Sequence, residues 1–176
     1  MFPNAVTRGV TLRIPMPGHA VGKNTEAIES MLRDTGTLEA LVQEHDAVFL
    51  LTDSREARWL PTVLAMVHEK ICLTMALGFE TFLAMRHGLS AAKHDPSLNG
   101  DRLGCYFCND IVAPRNSISD RTLDQQCTVS RPALCSIASA LGVELLASLL
   151  NHPLKNGAKA HENTSQCDRS ELGVIP

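Results

Sequence analysis

Cys127 is the residue of this chain best placed by its neighbours to act as a nucleophile. It lies in Arg121-Thr122-Leu123-Asp124-Gln125-Gln126-Cys127-Thr128-Val129-Ser130-Arg131-Pro132, just ahead of a long apolar segment. Pro132 suits a first helical turn, where its missing N–H is not needed. A helix beginning near Ser130–Pro132 brings its positive dipole end close to Cys127 and favours thiolate over thiol. Arg121 and Arg131 add positive charge, and Asp124 opposes it. The residues alone leave two readings, a nucleophilic cysteine or a small structural thiol.

Asp53 is a second candidate. It follows Ala47-Val48-Phe49-Leu50-Leu51, five consecutive apolar residues that read as a buried parallel strand. Ligands gather at the carboxyl ends of such strands, and a carboxylate there can hold Mg²⁺ through its oxygens. The competing reading is that Asp53 or Ser54 caps the helix that follows. Cys105 and Cys108 form a Cys-x-x-Cys pair. Two thiolates at this spacing can hold one zinc, although a structural zinc site takes about four ligands. A redox dithiol and a pair of plain buried thiols are the other readings. His19 and His87 can act as acid–base groups or stand as satisfied loop histidines. Cys72, in a predicted buried strand, is expected to be inert, and Cys135 reads as a small core residue.

These residues need elements to position them. Val10-Thr11-Leu12-Arg13-Ile14 alternates like a strand and ends at a Pro15-Met16-Pro17-Gly18-His19 loop. Asn24-Thr25 caps a predicted helix carrying Ile28, Met31, Leu32, Leu38, Leu41 and Val42 near one face, with Gly36 as a weak point. After the 47–51 strand, Ser54 opens a helix running to about Glu69, and Ile71-Cys72-Leu73-Thr74-Met75-Ala76 reads as the next strand. Residues 81–88 predict a further strand with a polar exit. Residues 91–100 and 111–119 read as loops, and a helix spans about 132–152 before Pro153 ends it. Alternating helix and strand predict a doubly wound α/β sheet. The domain is expected over residues 10–153, followed by a disordered tail over 154–176.

Bulk composition narrows the function classes. The chain has 176 residues, enough for one domain with a sizeable core. A net charge of -3, a pI near 6.1 and 4% aromatic residues argue against a nucleic-acid binder. No apolar run near Met1 has the length of a secretory signal, so the six cysteines are expected as reduced thiols of an intracellular protein. The segment 133–150 is barely long enough to span a membrane and contains Glu144, so it reads as a core or interface helix. Neither Gly-x-Gly-x-x-Gly nor Gly-x-x-x-x-Gly-Lys-Ser/Thr occurs, so no phosphate-cradling loop is expected, as if the chain began in mid-sheet.

Several runs carry a specific likeness: Ile14-Pro15-Met16-Pro17-Gly18-His19, Thr52-Asp53-Ser54-Arg55-Glu56-Ala57-Arg58-Trp59-Leu60-Pro61, Met85-Arg86-His87-Gly88, Cys105-Tyr106-Phe107-Cys108-Asn109-Asp110 and the stretch from Arg121 through Pro132. With these the chain resembles the ubiquitin-like-modifier-activating enzymes of autophagy, a ubiquitin-activating-type family, over roughly residues 14–153. The resemblance implies the second half of a Rossmann-like adenylation domain. It implies ATP with Mg²⁺, and adenylation of the C-terminal glycine of a ubiquitin-like autophagy modifier. The acyl group then passes to a cysteine as a thioester, and on to a conjugating enzyme. By position Cys127 matches that cysteine, and Asp53 matches the acidic residue that contacts Mg–ATP. Cys105 and Cys108 match the first half of a Zn²⁺ site whose second Cys-x-x-Cys has no counterpart here.

The resemblance also implies a homodimer formed through the adenylation domain, a cytoplasmic location and recruitment to the pre-autophagosomal structure. The family's N-terminal domain and glycine-rich loop have no counterpart here either. The alternative reading is therefore a truncated, non-catalytic remnant that pairs with a full-length copy.

Overall fold

A computed structural model describes residues 4–88, 103–110, 116–119 and 129–158. Helix α1 (Thr25–Glu44) begins where the Asn24 side chain accepts the Ala27 N–H at 3.1 Å, the expected cap, and it runs through Gly36 unbroken. Strand β1 (Ala47–Leu50) is followed by a 3₁₀ turn (Glu56–Arg58), helix α2 (Trp59–Val67) and strand β2 (Ile71–Leu77). Strand β3 (Phe82–Arg86), the short helix α3 (Tyr106–Asn109), helix α4 (Pro132–Asn151) and a second 3₁₀ turn (Lys155–Gly157) complete the order.

The sheet runs β1-β2-β3. β1 and β2 are parallel, with Ala47 opposite Ile71 and Leu50 opposite Thr74, so β1-α2-β2 is the expected crossover unit. β3 returns antiparallel to β2, pairing Leu73 with Arg86 and Leu77 with Phe82. The link between these two strands is short, which permits only an antiparallel return.

Alternation along β2 sends its side chains to two helical layers. Ile71, Leu73 and Met75 meet Leu145 and Leu149 of α4. Cys72 meets Leu50 and Ala65 on the α2 side. Leu73 and Leu149 are fully buried; burial of each side chain stabilises the fold by about 2 kcal/mol. Gly142 lets α4 lie close to β2, since a Cβ there would come 2.7 Å from Met75 Cε.

Two expectations change and a third is kept. Val10–Ile14 is in no β-ladder among the described residues, because alternation makes a strand only where a neighbouring edge offers hydrogen bonds. The tail does not begin at residue 154: the Lys155–Gly157 turn is ordered and Ala158 is buried in the α4-side core. Residues 159–176 lie outside the described residues. Finally, α4 is long and apolar enough to cross a membrane by length and composition. In this fold one face packs on the sheet, while Ile137, Leu141 and Val143 are exposed.

Candidate active site at the carboxyl edge of the sheet

The segment Ser54-Arg55-Glu56-Ala57-Arg58-Trp59 is the hub of the site. It leaves the carboxyl end of β1, turns once as a 3₁₀ helix and enters α2. Glu56 and Arg58 are buried there, an arrangement that is stable only when both charges are bonded. Arg58 meets that demand with backbone carbonyls. Its Nη1 donates to Leu50 O at 3.1 Å and Met75 O at 2.8 Å, and its Nη2 donates to Thr52 O. One guanidinium thereby joins the ends of β1 and β2. Its carbon also lies 5.6 Å from the centre of the Tyr106 ring.

Glu56 accepts the Ser117 N–H at 3.1 Å and the Ser117 hydroxyl. Arg55 Nη2 lies 3.8 Å away and His19 Nε2 3.9 Å away. Burial pushes the Glu56 carboxyl up, but the Ser117 bonds and the Arg55 charge outweigh it and leave the group below the usual glutamate range. Asp110 takes Arg55 Nη1 at 3.0 Å and Trp59 Nε1 at 3.1 Å, which fastens the Cys105-x-x-Cys108 turn to the same hub.

Asp53 is exposed just beyond β1, at the carboxyl edge where it was expected. The cap position of the 3₁₀ turn falls on Arg55, whose own side chain makes no capping bond. Because β1 and β2 are parallel, their carboxyl ends share one edge. The N-terminus of α4 is tied to that edge: Arg131 N donates to Phe79 O at 3.0 Å, just past β2, and Arg131 Nη2 pairs with Glu80 at 2.8 Å. Pro132 opens α4 as expected. Cys127 itself lies outside the described residues.

Cys105 stands at the cap position of α3, and the Cys108 N–H donates to its carbonyl at 2.9 Å. This short helix was missing from the sequence reading, because Tyr-Phe in the middle carries no helix signal. Cys105 is half-buried and Cys108 exposed, so the pair is not two plain buried thiols. Among the described residues no group of three His, Cys, Asp or Glu side chains can hold a metal ion. The two thiols therefore fit only half of a zinc site.

Cys72 is as inert as expected, with burial and then the neighbouring Cys105 pushing its thiol up to about 12. His87 follows directly on β3 and is buried. Its Nε2 meets Thr74 Oγ1 at 2.7 Å, and its Nδ1 has no hydrogen-bond partner among the described residues. Burial first, and the Arg58 charge second, pull it down to about 4, so it is neutral at physiological pH. Cys135 is exposed rather than in the core. Glu56 and Arg58 escaped sequence reading, and the only available signal was three charged residues in an otherwise apolar helical entry.

Comparison with known proteins places this arrangement in context. The chain is 50% identical over 188 residues to the ubiquitin-like modifier-activating enzyme ATG7 of Cryptococcus neoformans, covering 100% of this chain and 27% of that protein. It is 52% identical over 180 residues to ATG7 of Komagataella pastoris, covering 100% of this chain and 26% of the relative. For human ATG7 the identity is 44% over 200 residues, 100% of this chain and 28% of the relative. The chain thus spans about a quarter of the length of the curated relatives it matches. With a family match that runs over residues 17–172, covering the hub, the sheet and α4, the chain belongs to the ThiF family.

Proposed function

We propose that this chain is part of a ubiquitin-like-modifier-activating enzyme of autophagy. In this reading the modifier's C-terminal glycine is adenylated with ATP and captured as a thioester on Cys127. It is then passed to a conjugating enzyme. The observation that carries the reading is the shared edge. Asp53 and the N-terminus of α4, which Cys127 precedes closely in sequence, both belong to the carboxyl edge of the sheet. The modifier's terminal carboxylate must first attack the α-phosphorus of a metal-bound nucleotide and its carbonyl carbon must then meet the thiolate, so the metal-holding carboxylate and the thiol have to serve one edge.

Asp53 fits Mg²⁺ as an exposed carboxylate at a strand's carboxyl end, and is the residue that would hold it. When bound, ATP would supply the adenylyl group, with pyrophosphate departing with the electrons of the Pα–O bond, and Mg²⁺ would offset the phosphate charge. In the second half-reaction the Cys127 thiolate forms the C–S bond and AMP departs with the electrons of the C–O bond. The start of α4 favours the thiolate, as an N-terminal helix dipole does. Arg58 holds the ends of β1 and β2 in fixed relation beneath the site. Cys105 and Cys108 would hold half of a zinc site.

The test uses the whole protein that contains this chain, with ATP, Mg²⁺ and a modifier ending in an exposed glycine. A thiol-sensitive adduct on a non-reducing gel, lost in Cys127→Ser, supports the reading. Pyrophosphate exchange lost in Asp53→Asn but kept in Cys127→Ser separates the two half-reactions. Absence of both adduct and exchange overturns it.

A second reading, pairing with another copy, is favoured by the exposed apolar residues Ile137, Leu141 and Val143 on α4. It is compatible with the first, and a truncated non-catalytic partner is its limiting case. Sedimentation of the whole protein with Leu141→Glu tests it, a shift to monomer being the expected result. The same overall reading puts the reaction in the cytoplasm, with recruitment to the pre-autophagosomal structure. Imaging of the tagged whole protein under starvation is the check.

A further inference from the structure

The Met16-Pro17-Gly18-His19 turn has no part in the chemistry proposed above, yet it is built to hold a fixed shape. The Met16 carbonyl accepts the His19 N–H at 3.1 Å, and Gly18 stands at a φ of 87°. Proline fixes the first central position at negative φ and glycine supplies positive φ at the second, which makes this a type II turn. Both ends of the turn rest on the segment that follows β1. The Ser54 hydroxyl donates to Met16 Sδ at 3.3 Å, across 38 positions of sequence. At the other end, His19 Nε2 lies 3.9 Å from Glu56 Oε2. Ser54 and Glu56 are buried and Asp53 is exposed, so the turn grips the inward-facing residues and leaves Asp53 to the edge.

The backbone around Asp53 is thereby held on both sides. Before it, the Thr52 carbonyl accepts Arg58 Nη2, and the Thr52 hydroxyl donates to Ser54 O at 3.4 Å. After it, Ser54 is tied to Met16. A carboxylate on an exposed turn searches a wide arc unless its backbone is fixed, and a ligand fixed beforehand binds its metal at lower entropic cost. We infer that Met16 is a positioning residue for the Asp53 carboxylate, acting through Ser54 to hold it ready for a nucleotide-bound divalent cation. This rests on the activating-enzyme reading and gives the Met16–His19 turn a role in the first half-reaction.

The test reads binding rather than turnover, in the whole protein that contains this chain. The probe is α,β-methylene-ATP with Mg²⁺, which cannot give up its adenylyl group, and titration calorimetry follows it. Ser54→Ala removes the donor, while Met16→Leu keeps the bulk of the side chain and removes the acceptor. Each is expected to weaken binding about threefold, since a thioether is a weak acceptor and one bond is lost. The Met16→Leu, Ser54→Ala double variant is expected to bind no more weakly than the worse single one. In an Asp53→Asn background, itself weakened, neither substitution is expected to add a further loss. Should Ser54→Ala fail to fold, Met16→Leu conserves volume and carries the test alone. Unchanged binding in Met16→Leu, additive losses in the double variant, or the same loss in the Asp53→Asn background each overturn the inference while leaving the activating-enzyme reading intact. Asp53→Asn binding as tightly as the parent overturns the role of Asp53, and the inference with it.

Discussion

Trp59 and Asp110 are joined by a hydrogen bond of 3.1 Å from the indole Nε1 to the carboxylate Oδ2, across 51 positions of sequence. The bond ties the start of α2 to the end of the Cys105-x-x-Cys108 turn. Both partners are buried, and the other oxygen of Asp110 takes Arg55 at 3.0 Å. Trp59 also lies against Phe107, with ring centres 6.0 Å apart. One carboxylate thus holds together two segments that face the carboxyl edge.

Asp110→Ala removes the acceptor of a buried N–H and leaves Arg55 only its longer pairing with Glu56. The expected cost is about 2–4 kcal/mol. Asp110→Asn, which still offers a carbonyl oxygen, is expected to cost less. Trp59 is the only tryptophan of the chain, so its emission during denaturant unfolding reads both variants directly. A midpoint unchanged in Asp110→Ala would show that the bond contributes nothing to stability.

His87 makes stability depend on pH. Its value is about 4 in the folded chain against 6.5 for the ordinary group. The unfolded chain therefore binds the proton more readily than the folded one between those values. Stability is fully present above pH 6.5 and is lost as pH falls from 6.5 toward 4, by about 3 kcal/mol in all. Glu56 acts in the same direction in a lower window: its depressed value adds stability above 4.5 that is lost as pH falls below it. Thermal midpoints between pH 8 and pH 5 are expected to fall in the parent and to change less in His87→Gln. Parallel curves would assign the loss to other groups.

Local pattern made part of this fold legible and topology withheld the rest. Five apolar residues announced β1, Asn24 announced α1 and Pro132 announced α4, because burial, capping and proline geometry act over a few residues. Nothing local could say that β3 returns antiparallel or that Val10–Ile14 is in no ladder, since pairing depends on what lies alongside. The place of Asp53 beyond the end of β1 was legible by the same logic, although β1 is not the buried strand its apolar run suggests, since Leu50 is its one buried residue. Glu56 was not, because its meaning comes from Ser117, distant in sequence. The burial of His87 was hidden for a related reason, since its ring lies against Thr74 of a neighbouring strand.

Arg58 is a more demanding test of what shapes the edge. Its guanidinium fork reaches carbonyls on both sides of the β1–β2 junction, Leu50 and Thr52 on one and Met75 on the other. A lysine carries the same charge but offers a single nitrogen on a shorter reach. Arg58→Lys is expected to cost about 2–3 kcal/mol, from buried carbonyls left without donors. Denaturant midpoints measure it. A loss below that of a surface substitution would mean that the carbonyls find other donors.

The thiols are expected to separate by exposure. Cys108 and Cys135 are exposed, whereas Cys72 is buried with its thiol pushed up to about 12. Iodoacetamide at pH 8 reacts with thiolate, so Cys72 should label only after denaturant is added. Peptide mass spectrometry after brief labelling decides it. Early modification of Cys72 in the native chain would mean that the β2 core opens far more readily than its packing implies.

Gly142 sets how closely α4 approaches the sheet. A Cβ there would lie 2.7 Å from Met75 Cε and 3.0 Å from Met75 Sδ, both at the far end of a flexible side chain. Alanine therefore meets two opposed effects. It gains about 1 kcal/mol of helix propensity over glycine, and it forces Met75 to turn aside in a core already filled by Leu145 and Leu149. Methionine adapts readily, so Gly142→Ala is expected to be nearly neutral. Gly142→Val adds branched bulk that a rotamer change in Met75 cannot clear, and overpacking of that kind costs about 1–3 kcal/mol. The contrast is the informative measurement. Equal midpoints for the two variants would show that α4 slides along β2, whereas a loss confined to valine fixes the helix against Met75.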